Sequence, residues 1–190
     1  MNGKTIGFAL TGSFCTFQKA FAAMEALKEQ GYALVPILSF RASREDTRFG
    51  SAAEHLARAE AICGHAPLTS LQTVEPIGPQ GLLDALLIAP CTGATLARLA
   101  HGMADTPVAM AAKSQLRNGR PVILAVSTND GLAAGAANLA ALLPRRHYYF
   151  VPFGQDDPIK KPASLTADFA RIPDAVAAAL RGEQLQPLLR

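Results

Sequence analysis

The stretch Thr5-Ile6-Gly7-Phe8-Ala9-Leu10-Thr11-Gly12-Ser13 decides how this chain folds. Thr5 to Leu10 is a short apolar run ending abruptly in Thr-Gly-Ser, the pattern of a buried strand. Phe14, Phe17, Phe21, Met24 and Leu27 then recur at helical spacing, and Lys28-Glu29-Gln30-Gly31 supplies a stop. Strand, glycine turn and helix in succession leave the first helix amides just beyond the strand. There the positive end of the helix dipole favours an anion, and Ser13 can add a hydroxyl donor. Ser13 also has a plainer reading, as an ordinary helix cap in a tight turn. The turn is neither Gly-x-Gly-x-x-Gly nor a Gly-Lys-Ser/Thr loop, which favours a mononucleotide over a dinucleotide.

Outward from this unit the pattern repeats. Ala33 to Leu38 reads as a second strand, and Pro36, which lacks a ladder donor, puts it near an edge or a bulge. A polar segment, Arg41 to Gly50, precedes a helix over roughly Ala52 to Ile62, and Pro67 to Leu71 starts a short helical turn. Leu86 to Ala89 is a third strand, followed by Pro90-Cys91-Thr92-Gly93 and a helix carrying Leu96, Leu99 and Met103. Asp105 or Thr106 caps the next helix, with Pro107 in its first turn. Pro121 to Val126 is a fourth strand, Leu132 to Leu143 a helix, and Tyr148 to Val151 a fifth strand. Pro152 to Pro162 reads as a loop, and a final helix runs from Ala167 or Asp168 to Leu180, with Pro173 marking a break or a later start. Apolar strands separated by helices predict a three-layer α/β domain, Rossmann-like or flavodoxin-like, with a parallel sheet. No repeat or linker divides residues 1–190, so one domain is expected.

Charged residues make up only 17% of the chain, against roughly a quarter in typical domains, so part of the surface is expected to lie in a homo-oligomer interface. The net charge is +3 and the arginines are scattered, with no basic run interleaved with aromatics. A nucleic-acid partner is therefore not expected. No apolar run is long enough to span a membrane and no signal peptide is evident. The 3 cysteines, Cys15, Cys63 and Cys91, match no zinc spacing, which points to a reducing, cytoplasmic setting.

Right-handed crossovers gather the loops that follow the strands on one rim, where ligands bind in such sheets. Ser39 stands where the second strand ends. Arg41, Arg44 and Arg48 offer guanidinium forks to a carboxylate or phosphate, or are neutralised by Glu45 and Asp46 in a solvated loop. Pro90 to Thr95 has small side chains that admit a planar ring and hydroxyls for its polar edge. Cys91 reads as a buried hydrophobe rather than a nucleophile. In Ser127-Thr128-Asn129-Asp130-Gly131, Asn129 suits an amide edge and Asp130 a donor or a helix cap. Asp156 and Asp157 stand in a polar segment suited to a lid or partner contact. Adjacent carboxylates without further ligands do not make a metal site, and His55, His65, His101 and His147 have no metal spacing.

With these motifs in place, the chain resembles the B-type family of dipicolinate synthase components, within the broader flavoprotein family that includes phosphopantothenoylcysteine decarboxylase and flavin prenyltransferase. The broad resemblance rests on Gly7 to Ser13, on Ala89-Pro90 with Thr92 to Thr95, and on Leu99 to Asp105. The narrower one rests on Asp46-Thr47-Arg48-Phe49-Gly50, Ser127 to Gly131 and Pro152-Phe153-Gly154-Gln155-Asp156-Asp157-Pro158. It implies FMN held by Gly12, Ser13, Ser39 and Ser127, with Thr92 and Thr95 flanking the flavin ring. It also implies homo-oligomers, commonly trimers, and a partner, the A-type component of dipicolinate synthase, carrying NADP or NAD. The implied substrate is a small cyclic dicarboxylate, dihydrodipicolinate or a hydrated precursor, bound by Arg41, Arg44 or Arg48. The implied product is pyridine-2,6-dicarboxylate, made during sporulation in the mother cell. The decarboxylases carry Asn where this chain has Ala94, which argues against decarboxylation of a cysteinyl substrate, and their active-site histidine finds no match here.

Overall fold

Strand β1, Thr5–Leu10, is buried along all but its first residue and lies between two parallel neighbours, β2 (Ala33–Leu38) and β3 (Ala85–Cys91). The computed structural model describes residues 3–190. β4 (Val122–Thr128) pairs parallel with β3, and the outer edge of β4 is shared. Its first half, Val122 to Leu124, pairs parallel with β5 (Tyr148–Phe150), whereas Ser127 and Thr128 pair antiparallel with β7 (Lys161–Ala167), itself paired with β6 (Phe153–Asp157).

The expected all-parallel sheet is therefore corrected to a mixed one of 7 strands. Its parallel part runs β2-β1-β3-β4-β5. The segment from Pro152 to Pro162, expected as a loop, folds instead into the β6–β7 hairpin, which lies across the carboxyl end of β4. Pro36 sits in β2 at the sheet edge as expected, but the edge is not bare. Leu68 closes it, its N–H donating to Pro36 O (2.8 Å) and its carbonyl accepting from Leu38 N–H (2.9 Å).

Helix α1, Phe17–Glu29, follows one 3-10 turn, Phe14–Thr16, and buries Phe17, Phe21, Met24 and Leu27 against the sheet. Helix α2 (Ala52–Cys63) starts at a reciprocal Ser51–Glu54 cap, and short helices α3 (Leu71–Val74) and α4 (Ile77–Gln80) lead to β3. Helix α5 (Gly93–Ala100) is capped by Thr92. Helix α6 (Pro107–Arg117) is capped by Thr106, with Pro107 in its first turn as expected. Met103 lies beyond α5 and is exposed rather than on its apolar face. The helix expected from Leu132 starts only at α7, Ala136–Leu142. The intervening residues turn on Asp130 O, which accepts from Ala133 and Gly135, while Leu132 N–H bonds Ala163 of the hairpin. Pro173 marks a later start: a 3-10 turn, Phe169–Arg171, precedes α8, Ile172–Leu180.

Candidate functional site

The chain reverses its direction of winding between β1 and β3, and at such a point the loops beyond the strands part to leave a crevice. Here the crevice is a cleft of about 730 Å³. The β1 loop supplies Gly12, Ser13, Phe14 and Cys15, the β3 loop Thr92, Gly93 and Ala94, and the β4 loop Ser127 to Asp130. Thr16, Lys19 of α1, Arg41 and Phe49 after β2, and Asp156, Lys161, Ser164, Leu165 and Thr166 of the hairpin complete its walls, with Lys161 Nζ 2.6 Å from Asp156 Oδ2.

The floor is built from hydroxyls. Ser13 Oγ lies 2.8 Å from Ser127 Oγ, which ties the β1 and β4 loops together. Thr11 Oγ1 donates to Pro90 O (2.7 Å) and accepts from Thr92 N–H (3.1 Å), which fixes the β3 loop beside them. Thr92 accepts from Thr95 N–H as the cap of α5. Ser13 is not a helix cap, for its side chain makes no capping bond. Its hydroxyl is used instead to tie the β1 and β4 loops and its N–H donates to Thr11 O (2.7 Å), while the amides of Phe14 and Cys15 that open the helical segment have no intrahelical acceptor.

Two glycines allow close approach. Gly12 does not have a positive φ, so its backbone is not what demands glycine. A Cβ there would lie 3.6 Å from Arg41 Cβ and 3.7 Å from Phe14 Cε2, ordinary contacts, so what glycine provides is clearance in the cleft. Gly93 is different: a Cβ would stand 2.6 Å from Thr128 Oγ1 and 2.8 Å from Asp130 Oδ1. Its absence lets the β4 loop close over the start of α5. Asp130 is bonded to Thr128 in this arrangement, so it orients a neighbouring hydroxyl instead of capping α7, whose cap position is Gly135.

Among the residues expected to bind ligand, Gly12, Ser13, Thr92, Ser127 and Arg41 converge on the cleft. Ser39 and Thr95 are set back behind it. Ser39 Oγ accepts from Ala42 N–H (3.2 Å) and so holds the turn that carries Arg41, while Thr95 is buried, its hydroxyl 3.0 Å from that of Thr92. Arg41 is engaged by Glu45, Nε to Oε1 at 2.9 Å, and this pairing raises its affinity for its proton. A guanidinium has five N–H groups, so donors remain beyond those Glu45 takes. Arg44 stacks on Phe40 and Arg48 on Phe49, at 4.7 and 4.8 Å from the ring centres, outside the cleft lining.

Lys19, Phe49, Lys161, Ser164 and Thr166 are cleft residues that sequence reasoning missed. The alternation through Ala163-Ser164-Leu165-Thr166-Ala167 carries a strand signal that points to the last two. Cys91 is fully buried, and burial pushes its thiol well up, as expected for a small hydrophobe. His55 is also buried, held below the ordinary histidine range by desolvation, and packs among Phe14, Phe17 and Phe21. Among the described residues no cluster of metal-ligating side chains occurs. A second groove of about 680 Å³ runs along Ala22, Ala23 and Ala26 of α1. Of its charged groups Lys19 is shared with the cleft and Asp168 and Arg190 pair with each other, and it lacks the paired serine hydroxyls of the cleft floor.

The cleft thus joins a hydroxyl floor and cationic edges, suited to a phosphate, to a small-residue and apolar wall suited to a planar ring. The Flavoprotein family profile matches residues 1–142. The chain is 43% identical over 189 residues, 100% of its length and 94% of the relative's, to the B-type component of dipicolinate synthase from Bacillus subtilis (strain 168). The crystal structure of the corresponding B-type component from Bacillus halodurans C is 42% identical, with a TM-score of 0.91 over 100% of this chain and 98% of that one. Burkholderia xenovorans DmrB, solved in complex with FMN, shares the fold at 18% identity, with a TM-score of 0.69 over 94% of this chain and 96% of its own.

Proposed function

The chain belongs to the Flavoprotein family, and on that premise we propose that it is the B-type component of a dipicolinate synthase. In this reading one cleft holds FMN and a cyclic dicarboxylate, and an A-type partner carries NADP or NAD. The carrying observation is the Ser13–Ser127 hydroxyl pair on the floor of a cleft large enough for both, in a chain 42% identical over its full length to a B-type component of known structure.

Oxidation of dihydrodipicolinate to pyridine-2,6-dicarboxylate removes a hydride and a proton and gains aromaticity. The protein's task is then alignment more than activation. FMN, when bound, supplies a two-electron acceptor. Gly12, Ser13 and Ser127 fit its phosphate, with Lys19 adding positive charge at the edge, while Lys161 is paired with Asp156. Thr92, Gly93 and Ala94 fit the flank of its ring, and Thr95 acts through Thr92. Arg41 fits a substrate carboxylate, and Ser39 acts through the turn that carries Arg41. Arg44 and Arg48 reach a substrate only by leaving their aromatic rings, so Arg41 takes the first place among the three.

Exposed Met103, Leu132 and Leu143 are consistent with a homo-oligomer. Among the described residues no helix is long and apolar enough to cross a membrane, in keeping with a place in the mother-cell cytoplasm of a spore former. The test is reconstitution with the A-type partner, omitting each chain in turn. The expected result is NADP- or NAD-linked formation of pyridine-2,6-dicarboxylate that falls sharply without this chain. Full activity of the partner alone, or turnover of a cysteinyl peptide by this chain alone, overturns the proposal.

A further inference from the structure

Phe49 is a large apolar side chain left 42% exposed at the wall of the cleft. Its backbone is held with unusual care for such a residue. Thr47 and Gly50 exchange both of their backbone hydrogen bonds, N–H to O at 3.0 and 3.1 Å, and Phe49 N–H donates to Thr47 Oγ1 at 3.1 Å. Asp46 accepts from Ala52 N–H (2.8 Å), which pins the turn to the start of α2. Gly50 has φ +126°, and a Cβ on it would stand 2.8 Å from Cε1 of the buried His55. The turn is thus seated directly on an immobile imidazole.

The ring contacts of Phe49 are one-sided. The guanidinium of Arg48 lies 4.8 Å from its centre, and no other aromatic ring among the described residues packs on it. Arg41, on the same side of the cleft beyond β2, brings a second cation. The hydroxyl floor lies on the β1, β3 and β4 loops, and Arg41 stands between it and Phe49's turn, its Cβ 3.6 Å from where a Cβ on Gly12 would be. An exposed aromatic ring in a cleft that also holds a guanidinium, that of Arg41, suits a flat ring bearing a carboxylate better than a sugar chain.

We infer that Phe49 is the platform on which the planar ring of the dicarboxylate stacks, on the face that Arg48 leaves free, with Arg41 as the cleft guanidinium that meets a carboxylate. This rests on the reading of the cleft as a site for FMN and a cyclic dicarboxylate, and adds the residue that selects a ring over an open chain. A preformed platform lowers the ordering cost of binding, which is what the doubly bonded turn provides.

The test titrates wild type, Phe49→Ala and Phe49→Tyr with pyridine-2,6-dicarboxylate, with heptanedioate as an acyclic dicarboxylate, and with FMN. Calorimetry serves for the acids, with and without FMN present, and flavin fluorescence for the cofactor. Phe49→Ala is expected to weaken pyridine-2,6-dicarboxylate roughly tenfold while leaving heptanedioate and FMN within about twofold, and Phe49→Tyr to retain wild-type affinity. Unchanged pyridine dicarboxylate affinity in Phe49→Ala overturns the inference and leaves the cofactor reading standing. Loss of FMN affinity instead assigns the ring to the flavin, and equal loss of both acids makes Phe49 merely structural; each overturns it. A wild type that binds FMN but not the pyridine acid overturns it too, and one that binds neither overturns the cleft's reading as well.

Discussion

Replacing Gly12 with alanine separates the needs of the fold from the needs of a ligand. The added Cβ would lie 3.6 and 3.7 Å from Arg41 Cβ and Cδ and 3.7 Å from Phe14 Cε2, and the residue does not have a positive φ. The folded chain can take the methyl group without strain, while the unfolded chain loses freedom. The expected stabilisation is about 0.4–1 kcal/mol. For a chain of 190 residues, at about 2–4 °C per kcal/mol, the Tm should rise by roughly 1–4 °C. A phosphate approaching the turn meets the same methyl group in a close-packed site, a conflict of about 1–3 kcal/mol. FMN affinity should therefore fall about 5- to 150-fold. Far-UV circular dichroism melts give the first quantity and quenching of flavin fluorescence the second. FMN affinity equal to wild type would refute the claim that a ligand comes close to this turn. A Tm lowered by several degrees would refute the claim that the fold does not need glycine here.

Thr92→Ala should cost about 0.5–2 kcal/mol by removing the cap of α5, seen as a lower Tm, and Thr92→Ser should restore it. Thiol labelling of the native chain should find Cys15 fast and Cys63 and Cys91 slow, because burial pushes Cys63 up to about 11 and Cys91 further; FMN should slow Cys15, which lines the cleft. His55 is depressed by burial and binds its proton more weakly in the folded state than in the unfolded one. Stability is therefore complete above the unfolded value near 6.5 and declines as pH falls from there towards the lower folded value. Denaturant titrations across that window should show this decline, and His55→Leu should flatten it.

β1 and β3 were legible because each is a nearly unbroken apolar run closed by glycine or proline, β2 because its run ends in a polar segment, and α1 because its apolar residues recur at helical spacing. β1, its turn and α1 came directly from that pattern. The β6–β7 hairpin did not, since Gln155, Asp156 and Asp157 present polar groups to solvent on an edge strand and bury almost nothing. Its second strand carries a short alternation that the polar tip conceals. The region from Leu132 failed for a different reason: a helical composition is overridden by the bonds of Asp130 O and by Leu132 pairing with Ala163. At the site, Gly12, Ser13, Thr92 and Ser127 were legible because strand ends fix where loops meet. Ser39 stands outside the cleft lining and accepts from Ala42 N–H, and a serine just past a strand looks the same in sequence whether it faces a ligand or holds its own turn. Phe49 could not be weighed from sequence, because nothing in Thr47-Arg48-Phe49-Gly50 says which way the turn points.

The phosphate site can be tested by comparing FMN with riboflavin, which differ only in the phosphate, on the purified wild-type chain. Two serine hydroxyls and the turn amides acting on a charged group should make FMN tighter by at least about 100-fold. Equal affinities for the two flavins would contradict a phosphate seated at Gly12, Ser13 and Ser127.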